Sequence, residues 1–443
     1  MGLLDRIASG LGFRSAPVEA AGSGPRWGRT AKVLRAPARE IAARRQLAAE
    51  RAAWLSVNDP VAAAIVATWA SNLVKDGPAV AARTADMGLR ASLGDRFDEW
   101  WNTCDAEGVD DFAGILNRIA RCLVGQGEAF IIAETDEAGA LVLRTVDPSQ
   151  VDASLSRLLA DGGSIVAGVE LDARGRRRAY WIKPASDHLL GYGLQAQRVS
   201  ASDVFHLYRK DFSGQVRGLS WLSPVATYID QLAELTDSEL ALQNTAALFG
   251  GILVNTNGTV GEDIAPAAGL SPGALTELPA GYDVRFASPP TSNGASAFRK
   301  SILRAIATGV QLPYELVSGD LSEVNFSSAR LGLFEFRNNV DALRKSLIGA
   351  RFLEPLWRRW LAHEALAGRL SATAAASVGL TASWPGWGSI DPKGETEADV
   401  LAVANGFASR AEIVARRGRD LRELDAERAA DSFVPPTNGG NKQ

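Results

Sequence analysis

Gln311-Leu312-Pro313-Tyr314-Glu315-Leu316-Val317-Ser318-Gly319-Asp320-Leu321-Ser322-Glu323-Val324-Asn325-Phe326-Ser327-Ser328-Ala329-Arg330 is the stretch on which the reading of this chain turns. Upstream of it, a helical pattern from Ala297 to about Thr308 is stopped by Gly309 and Pro313. Proline has no N–H to donate and drives its predecessor out of the helical region. Downstream, a second helical pattern opens at Ala329 and extends to about Leu366, with a kink expected at Pro355. Between them, Gly319 to Ser328 is a run of small and polar residues. It reads either as a flexible loop or as a capping loop for the helix that follows.

Working outward, the next signal upstream is the longest uninterrupted helix of the sequence. Val225, Ile229, Leu232, Leu235, Leu240, Leu242 and Leu248 keep a helical period from about Ser220 to Phe249. Gly250-Gly251 ends it, and residues 252–296 mix short apolar runs with Gly, Pro, Asn and Ser. The result is a helix, a compact insert and a second helix. Toward the C-terminus, Asp391 to Asp431 is helical in at least three pieces broken at Gly406 and Gly418, and Pro435 to Gln443 is a tail.

The N-terminal half divides in two. Helices are expected from Asn58 to Val74, with Asn58 or Asp59 as cap and Pro60 in the first turn, from Leu93 to Cys104, and from Asp111 to Val124. After Gly125-Gln126-Gly127 the pattern turns β-prone, with strands at Ala129–Ala133, Leu141–Val146, Gly168–Leu171 and Arg178–Ile182, the last two forming a hairpin. This sheet-containing unit spans about 128–210. Ahead of everything, Ala21 to Arg51 is rich in Arg and Ala and reads as a basic arm, either a solvated tail or a contact for an acidic partner.

Length and composition set the frame. A chain of 443 residues should divide into about two to four structural units. The net charge of −4 excludes a protein whose affinity for nucleic acid comes from many phosphate contacts, so any DNA contact must be local or weak. Two cysteines, Cys104 and Cys122, exclude a disulfide framework and a thiolate zinc site, and they read as buried thiols. The amphipathic start lacks the features of a secretory signal, and no window reaches the apolar length of a membrane span, so a soluble protein is expected.

A search for catalytic groupings yields little. There is no phosphate-binding GxxxxGK[ST] loop, HExxH helix, CxxC pair or GxGxxG turn. One GxSxG match, Gly269 to Gly273, has Pro272 where an oxyanion hole needs an N–H. His188, His206 and His363 are isolated, and His206 reads as a hydrogen-bonded strand residue on the face opposite Phe205 and Leu207. Glu128, Asp147 and Asp203 suit paired acids or caps equally. The basic turn Arg174–Arg178 and the helical cations Arg299, Lys300 and Arg304 suit either phosphate contacts or solvated surface. Metal site and cofactor are both expected to be absent, and the chain reads as a non-enzyme.

Several stretches together resemble the portal proteins of lambda-like tailed phages. Most specific is Gln311 to Glu315 with Ser318 to Leu321, Asn325 to Arg330 and Phe334 to Arg337. It is joined by Trp100, Cys104-Asp105, Gly108, Gly127-Glu128, Val146 to Pro148, Gly168 to Asp172, Gly175-Arg176 and Ala179-Tyr180. Further on come Arg198-Val199, Asp203 to His206, Arg217 to Ser220, Pro224 and Ile390 to Glu395. The resemblance runs from about residue 55 to 430, and Phe326 stands where the family commonly has Tyr.

The resemblance implies an α+β, mainly helical portal fold with wing, stem, clip and crown, assembled as a ring of about twelve subunits. On this chain it implies a basic N-terminal arm at 1–54, a wing at 55–219, a first stem helix at 220–249, a clip at 250–296 and a second stem helix at 297–312. The tunnel loop and the long wing helix would occupy 313–366, a connector 367–390, the crown 391–434 and the tail 435–443. Gly319, Asp320, Ser322, Glu323, Asn325, Phe326, Ser327 and Ser328 would face DNA in the channel, with Arg299, Lys300 and Arg304 lining the stem. Implied partners are double-stranded DNA held without sequence preference, the terminase large subunit, a head-tail adaptor and the major capsid protein, with no membrane. The implied place is the portal vertex of the virion, after assembly in the host bacterial cytoplasm. A nucleic-acid-processing enzyme, or another connector of a phage-like particle, is the competing reading.

Overall fold

The computed structural model describes residues 36–191, 193–248, 252–255, 282–285, 295–322, 326–389, 391–419 and 421–431. The expectations for the arm before residue 36, the GxSxG loop, Glu323, Asn325 and the tail lie outside the described residues, as do the side chains of His188, Phe326, Ser327 and Ser328.

Helix α1 (Pro37–Asn58) is followed by α2 (Pro60–Val74), and Asp59 between them caps α2 by accepting from Ala62 N–H at 2.8 Å. The basic arm therefore does not stay a solvated tail: from Pro37 onward it is helix, and Ile41, Arg45, Ala49, Ala52 and Leu55 are buried. Strand β1 (Ala79–Arg83) leads to α3 (Met87–Trp101), which starts earlier than the sequence pattern indicates because Asp86 caps it. Helix α4 (Phe112–Gly125) is capped by Asp111 and buries one whole face, Phe112, Ile115, Leu116, Ile119, Leu123 and Val124. Cys104 is buried and desolvation pushes its thiol up to about 12; Cys122 lies on α4, so the two thiols belong to different elements.

Strands β2 (Glu128–Thr135) and β3 (Leu141–Val146) form a three-stranded antiparallel sheet with a later strand, β2 in the middle. Strands β4 (Arg157–Leu158), β5 (Ser164–Val166), β6 (Val169–Leu171), β7 (Arg177–Ile182) and, after the short α5 (Ala185–Leu190), β8 (Gln197–Ser200) form a five-stranded antiparallel meander. The predicted hairpin is present, with Val169 opposite Tyr180 and Glu170 opposite Ala179. Strand β9 (Val204–Tyr208) returns to pair with β2. Alternation along β2 divides the core. Ala129, Ile131 and Ala133 join the large helical cluster, whereas Phe130 and Ile132 join a smaller one with Val146, Val169, Tyr180 and Ile182.

Helix α6 (Ala226–Leu248) begins after a turn at residues 221–225. Strands β10 (Ile252–Asn255) and β11 (Tyr282–Arg285) pair antiparallel beyond it, and α7 (Ala295–Gly309) runs back. The one-turn α8 (Tyr314–Ser318) precedes α9 (Phe326–Leu343), so the helix after the polar loop starts at Phe326, earlier than Ala329. Between α9 and α10 (Glu354–Leu366) the chain is a π-helix, Arg344–Leu353. Pro355 explains it: its ring cannot tolerate the carbonyl four residues back, and the wider turn, in which Glu354 N–H reaches Gly349 O, relieves the conflict without a break.

Helix α11 (Ala372–Ser377) and β12 (Gly379–Ser383), which pairs with β1, complete this region. The loop after β12 is fixed by Lys75 donating to Gly386 O at 2.7 Å and by Trp387 Nε1–H donating to Asp341 at 2.9 Å. Helices α12 (Pro392–Ala404), α13 (Arg410–Arg416) and α14 (Leu421–Ala430) are the three expected pieces, separated at Gly406 and Gly418, both with positive φ.

Candidate nucleic-acid interface

The α6–α7 hairpin stands on the helical core. Ile229 and Leu232 of α6 and Ile306, Ala307 and Val310 at the end of α7 are buried in the large cluster. Gly309 lets the two helices close at their base, since a Cβ there would lie 2.3 Å from Val225 Cγ1. Trp69 Nε1–H donates to Val310 O at 3.0 Å, and its ring meets Trp221 and Phe336 edge-on at 5.0 and 5.2 Å. Beyond Leu232 no described side chain of α6 is buried, and Leu240 and Leu242 are exposed.

The three stem cations do not act as one face. Arg299 turns to α6 and pairs with Glu239 at 3.7 Å. Lys300 and Arg304, one helical turn apart, lie over the Tyr314 ring at 5.9 and 5.5 Å, and Lys300 reaches Asp320 at 3.6 Å. Tyr314 Oη–H also points at Asp320, at 3.4 Å. Asp320 in turn organises the start of the polar loop by accepting from Ser322 N–H at 3.0 Å and Ser322 Oγ–H at 2.5 Å. These Ser322 hydrogen bonds, helped by Lys300, hold the Asp320 carboxyl down at about 2. Gly319, with φ of +68°, supplies the left-handed turn that releases the chain from α8 into the loop. The structure thus brings together two groups of residues that the sequence offered separately, the second stem helix and the proximal part of the loop.

A third grouping has no counterpart in the sequence reading. Glu128 is fully buried, and Arg45 from α1, Arg217 from the turn after β9, and His206 from β9 converge on it at 3.1, 2.6 and 3.1 Å. Gly218 N–H donates to the same carboxylate at 2.7 Å, and Arg217 also donates to Pro148 O at 3.1 Å and to Ala167 O. Burial alone would raise the Glu128 pKa, but Arg217 and Arg45 beside it and the His206 hydrogen bond hold it well below the usual carboxylate range. Burial draws His206 down to about 4, so it is neutral at pH 7, and draws Arg45 down to about 10. The backbones meet without room for side chains: a Cβ on Gly218 would lie 2.1 Å from Gly127 O. The doublets Gly127-Glu128 and Arg217-Gly218, singled out by resemblance, were the available signal; they turn out to be the two halves of one contact.

The remaining candidates take structural places. Asp147 caps the short helix Pro148–Gln150, Asp203 pairs with Arg359 at 3.0 Å, and His363 Nε2 sits 2.9 Å from Gly139 O. At the basic turn, Asp172 accepts from Arg174 and Arg176 N–H at 2.8 Å each, and Arg178 pairs with Asp161. No His, Cys, Asp or Glu grouping among the described residues could hold a metal ion, and among them no helix is long and apolar enough to cross a membrane.

The family model for phage portal protein, lambda family, matches residues 23–344, reaching into the basic arm that the resemblance had left out and ending where the π-helix begins. The probable portal protein of Halomonas phage phiHAP-1 is 25% identical over 363 residues, covering 76% of this chain and 69% of its own length. Portal protein B of Escherichia phage lambda is 24% identical over 374 residues, covering 70% of this chain and 68% of its own length. Among solved structures, a chain from the neck of a native gene transfer agent particle, computed with C12 symmetry, matches with a TM-score of 0.52 at 17% identity, covering 81% of this chain and 90% of that one. The neck of the empty particle, computed with C6 symmetry, matches with a TM-score of 0.53 at 18% identity, covering 85% and 93%. With a fold of mixed helix and sheet shared with these neck chains and a family match over most of its length, this chain belongs to the lambda family of phage portal proteins.

Proposed function

We propose that the chain is one subunit of a ring through which double-stranded DNA passes at a capsid vertex during packaging and ejection, and that it acts as a structural conduit and not as an enzyme. The observation that carries this reading is the α6–α7 hairpin, anchored at its base by Trp69 and Gly309 and uncovered beyond Leu232. A helix that leaves Leu240 and Leu242 exposed is completed by other copies when the subunits close into a ring. In this reading residues 55–219 are wing, α6 and α7 the stem, 250–296 the clip, and 391–434 the crown.

The polar loop from Gly319 to Ser328 is then the segment that meets DNA, with Gly319, Asp320, Ser322, Glu323, Asn325, Phe326, Ser327 and Ser328 at the channel. Small polar groups touch phosphates without holding them, and the two carboxylates, Asp320 and Glu323, repel them, which suits a duplex that must slide. Lys300, Tyr314 and Arg304 tie the start of the loop to the second stem helix, so movement of the stem is felt by the loop. The clip is the surface offered to terminase and afterwards to the adaptor, and the outer wing the surface offered to the capsid protein. Deleting 319–327 should leave rings visible by negative-stain imaging while packaging or retention of DNA drops. Normal packaging and retention in that deletion would refute the loop's role, and a field of monomers for the unmodified protein would refute the ring.

A further inference from the structure

A groove of about 1180 Å³ runs between α9 and the C-terminal helix α12. Leu331 and Phe334 line it from α9, exposed by 65% and 59%, and Trp384 and Trp387 line it from the loop after β12. Its walls are fixed from within the subunit. Trp387 donates to Asp341 and carries Lys75 over its ring at 4.0 Å, and a Cβ on Gly418 would lie 2.6 Å from Gly386 N. Arg330 of α9 and Glu395 of α12 approach to 3.9 Å between the two walls. Five arginines and three acids line the groove, and Arg337, over the Trp387 ring at 5.4 Å, has no acidic partner among the described residues. The space is larger than a small ligand needs and suits one face of a helix.

The other side of α12 carries the matching shape. At about 100° per residue, Pro392, Glu395 and Asp399, which line the groove, fall on one side of the helix, and Val400, Leu401 and Ala404 fall on the opposite side. Those three are exposed. Phe407 continues the row seven residues after Val400 and is 85% exposed, more than any other aromatic side chain among the described residues. Its position is fixed. Gly406, with φ of +76°, donates to Val403 O at 3.2 Å, and Phe407 N–H donates to Ala402 O at 2.9 Å, the two hydrogen bonds of a Schellman turn. The residue after the glycine of such a turn commonly packs back on its helix, whereas Phe407 stands clear of it. Glu397, one turn before Leu401, adds negative charge beside this row.

We propose that the row Val400, Leu401, Ala404 and Phe407 of one subunit seats in the α9–α12 groove of the next, with its apolar side chains against Leu331, Phe334 and Trp384 and with Glu397 toward Arg337. This rests on the ring reading above and names one of the surfaces that closes the ring. A groove on one side of a helix and a ridge on the other make a head-to-tail contact, the kind that generates a ring when the rotation between copies closes. Every ridge is then seated and every groove filled. Helix α9 also starts at the polar loop, so the neighbour bears on the helix that carries that loop.

The test is cross-linking of the purified full-length protein. Phe334→Cys puts a thiol in the groove and Leu401→Cys puts one on the ridge, and both positions are exposed, so neither change removes a buried group. After treatment with a short bismaleimide, the double variant should give a ladder of three and more linked chains on a denaturing gel, while each single variant stops at two. The unmodified protein, with Cys104 buried and Cys122 partly buried, sets the background. Rings in negative stain that yield no ladder would overturn this contact and leave the ring reading standing, the groove then belonging to some other occupant. Absence of rings from the unmodified protein would refute the ring reading and this contact with it. A second measurement needs no cysteine: Leu401→Arg with Phe407→Ser should raise the protein concentration at which rings form by about tenfold or more, with the melting temperature of the subunit unchanged. An unchanged ring threshold in that variant would overturn the proposal, and this arm decides even if the cysteine pair fails to fold.

Discussion

Helix α4 and helix α6 both carry apolar residues at helical spacing, and they end up in opposite circumstances. On α4 the apolar residues fall on one side, and the chain covers that side completely with α2, β2 and the aromatic rings of Phe352 and Trp101. Among the described side chains of α6 only Ile229 and Leu232 are buried, and Leu240 and Leu242 are exposed. The first region is stabilised from within one subunit. The second holds its shape by helical hydrogen bonds and leaves apolar surface exposed, which on the proposed reading is the surface that a neighbouring subunit covers.

The sharpest way to break the self-contained region is at the buried carboxylate. Glu128→Gln leaves Arg45 and Arg217 buried without a counter-charge, and should cost about 3–5 kcal/mol in unfolding free energy, read by denaturant titration. Gly218→Ala should come next, at about 2–3 kcal/mol or with a displaced turn, because the new methyl meets the Gly127 carbonyl rather than a side chain that can move aside.

Acid should weaken the same region. His206 is depressed in the folded state to about 4, so the unfolded chain binds the proton first. Its contribution is complete above pH 6.5 and is lost as pH falls toward 4, a change on the order of 2–3 kcal/mol that a thermal-melt series from pH 7 to 4 would show. Glu128, depressed further, extends the loss below that window. A flat profile from pH 7 to 4 would mean that His206 takes up its proton as readily in the folded protein as in the unfolded chain.

The hairpin should respond differently. Lys300→Ala removes a half-exposed pair and should change stability by less than about 1 kcal/mol, yet speed hydrogen exchange at residues 318–322, where Asp320 loses its tether. The smallest effect on subunit stability, within about 0.5 kcal/mol, is expected for Leu240→Ser with Leu242→Ser, while the fraction of protein in rings by size-exclusion chromatography should fall. Unfolding of that double variant would erase the contrast between α4 and α6.

Much of this was legible in the chain. The caps Asp59 and Asp111, the hairpin of β6 with β7, and the three C-terminal helices around Gly406 and Gly418 all follow from signals within a few residues of each other. Pro355 announced a disturbance in the long helix but not its form, because whether a proline kinks a helix or widens it into a π-turn depends on what packs around the preceding turn. The arm read as basic and solvated because its charge is visible and its partner is not: Arg45 is one of several arginines until Glu128, 83 residues on, is placed against it.

Sequence alone settled the order of helices, strands and breaks, the resemblance to a portal family, and the polar character of the loop after Pro313, since these depend on short-range periodicity, on capping and on the backbone limits of proline and glycine. Tertiary structure alone decided that residues 45, 128, 206 and 217 share one buried charge cluster, and that Lys300 belongs to Asp320 and Arg299 to Glu239. Pairing over such separations leaves no periodic trace, because any arginine can neutralise any carboxylate and only the folded backbone determines which ones meet.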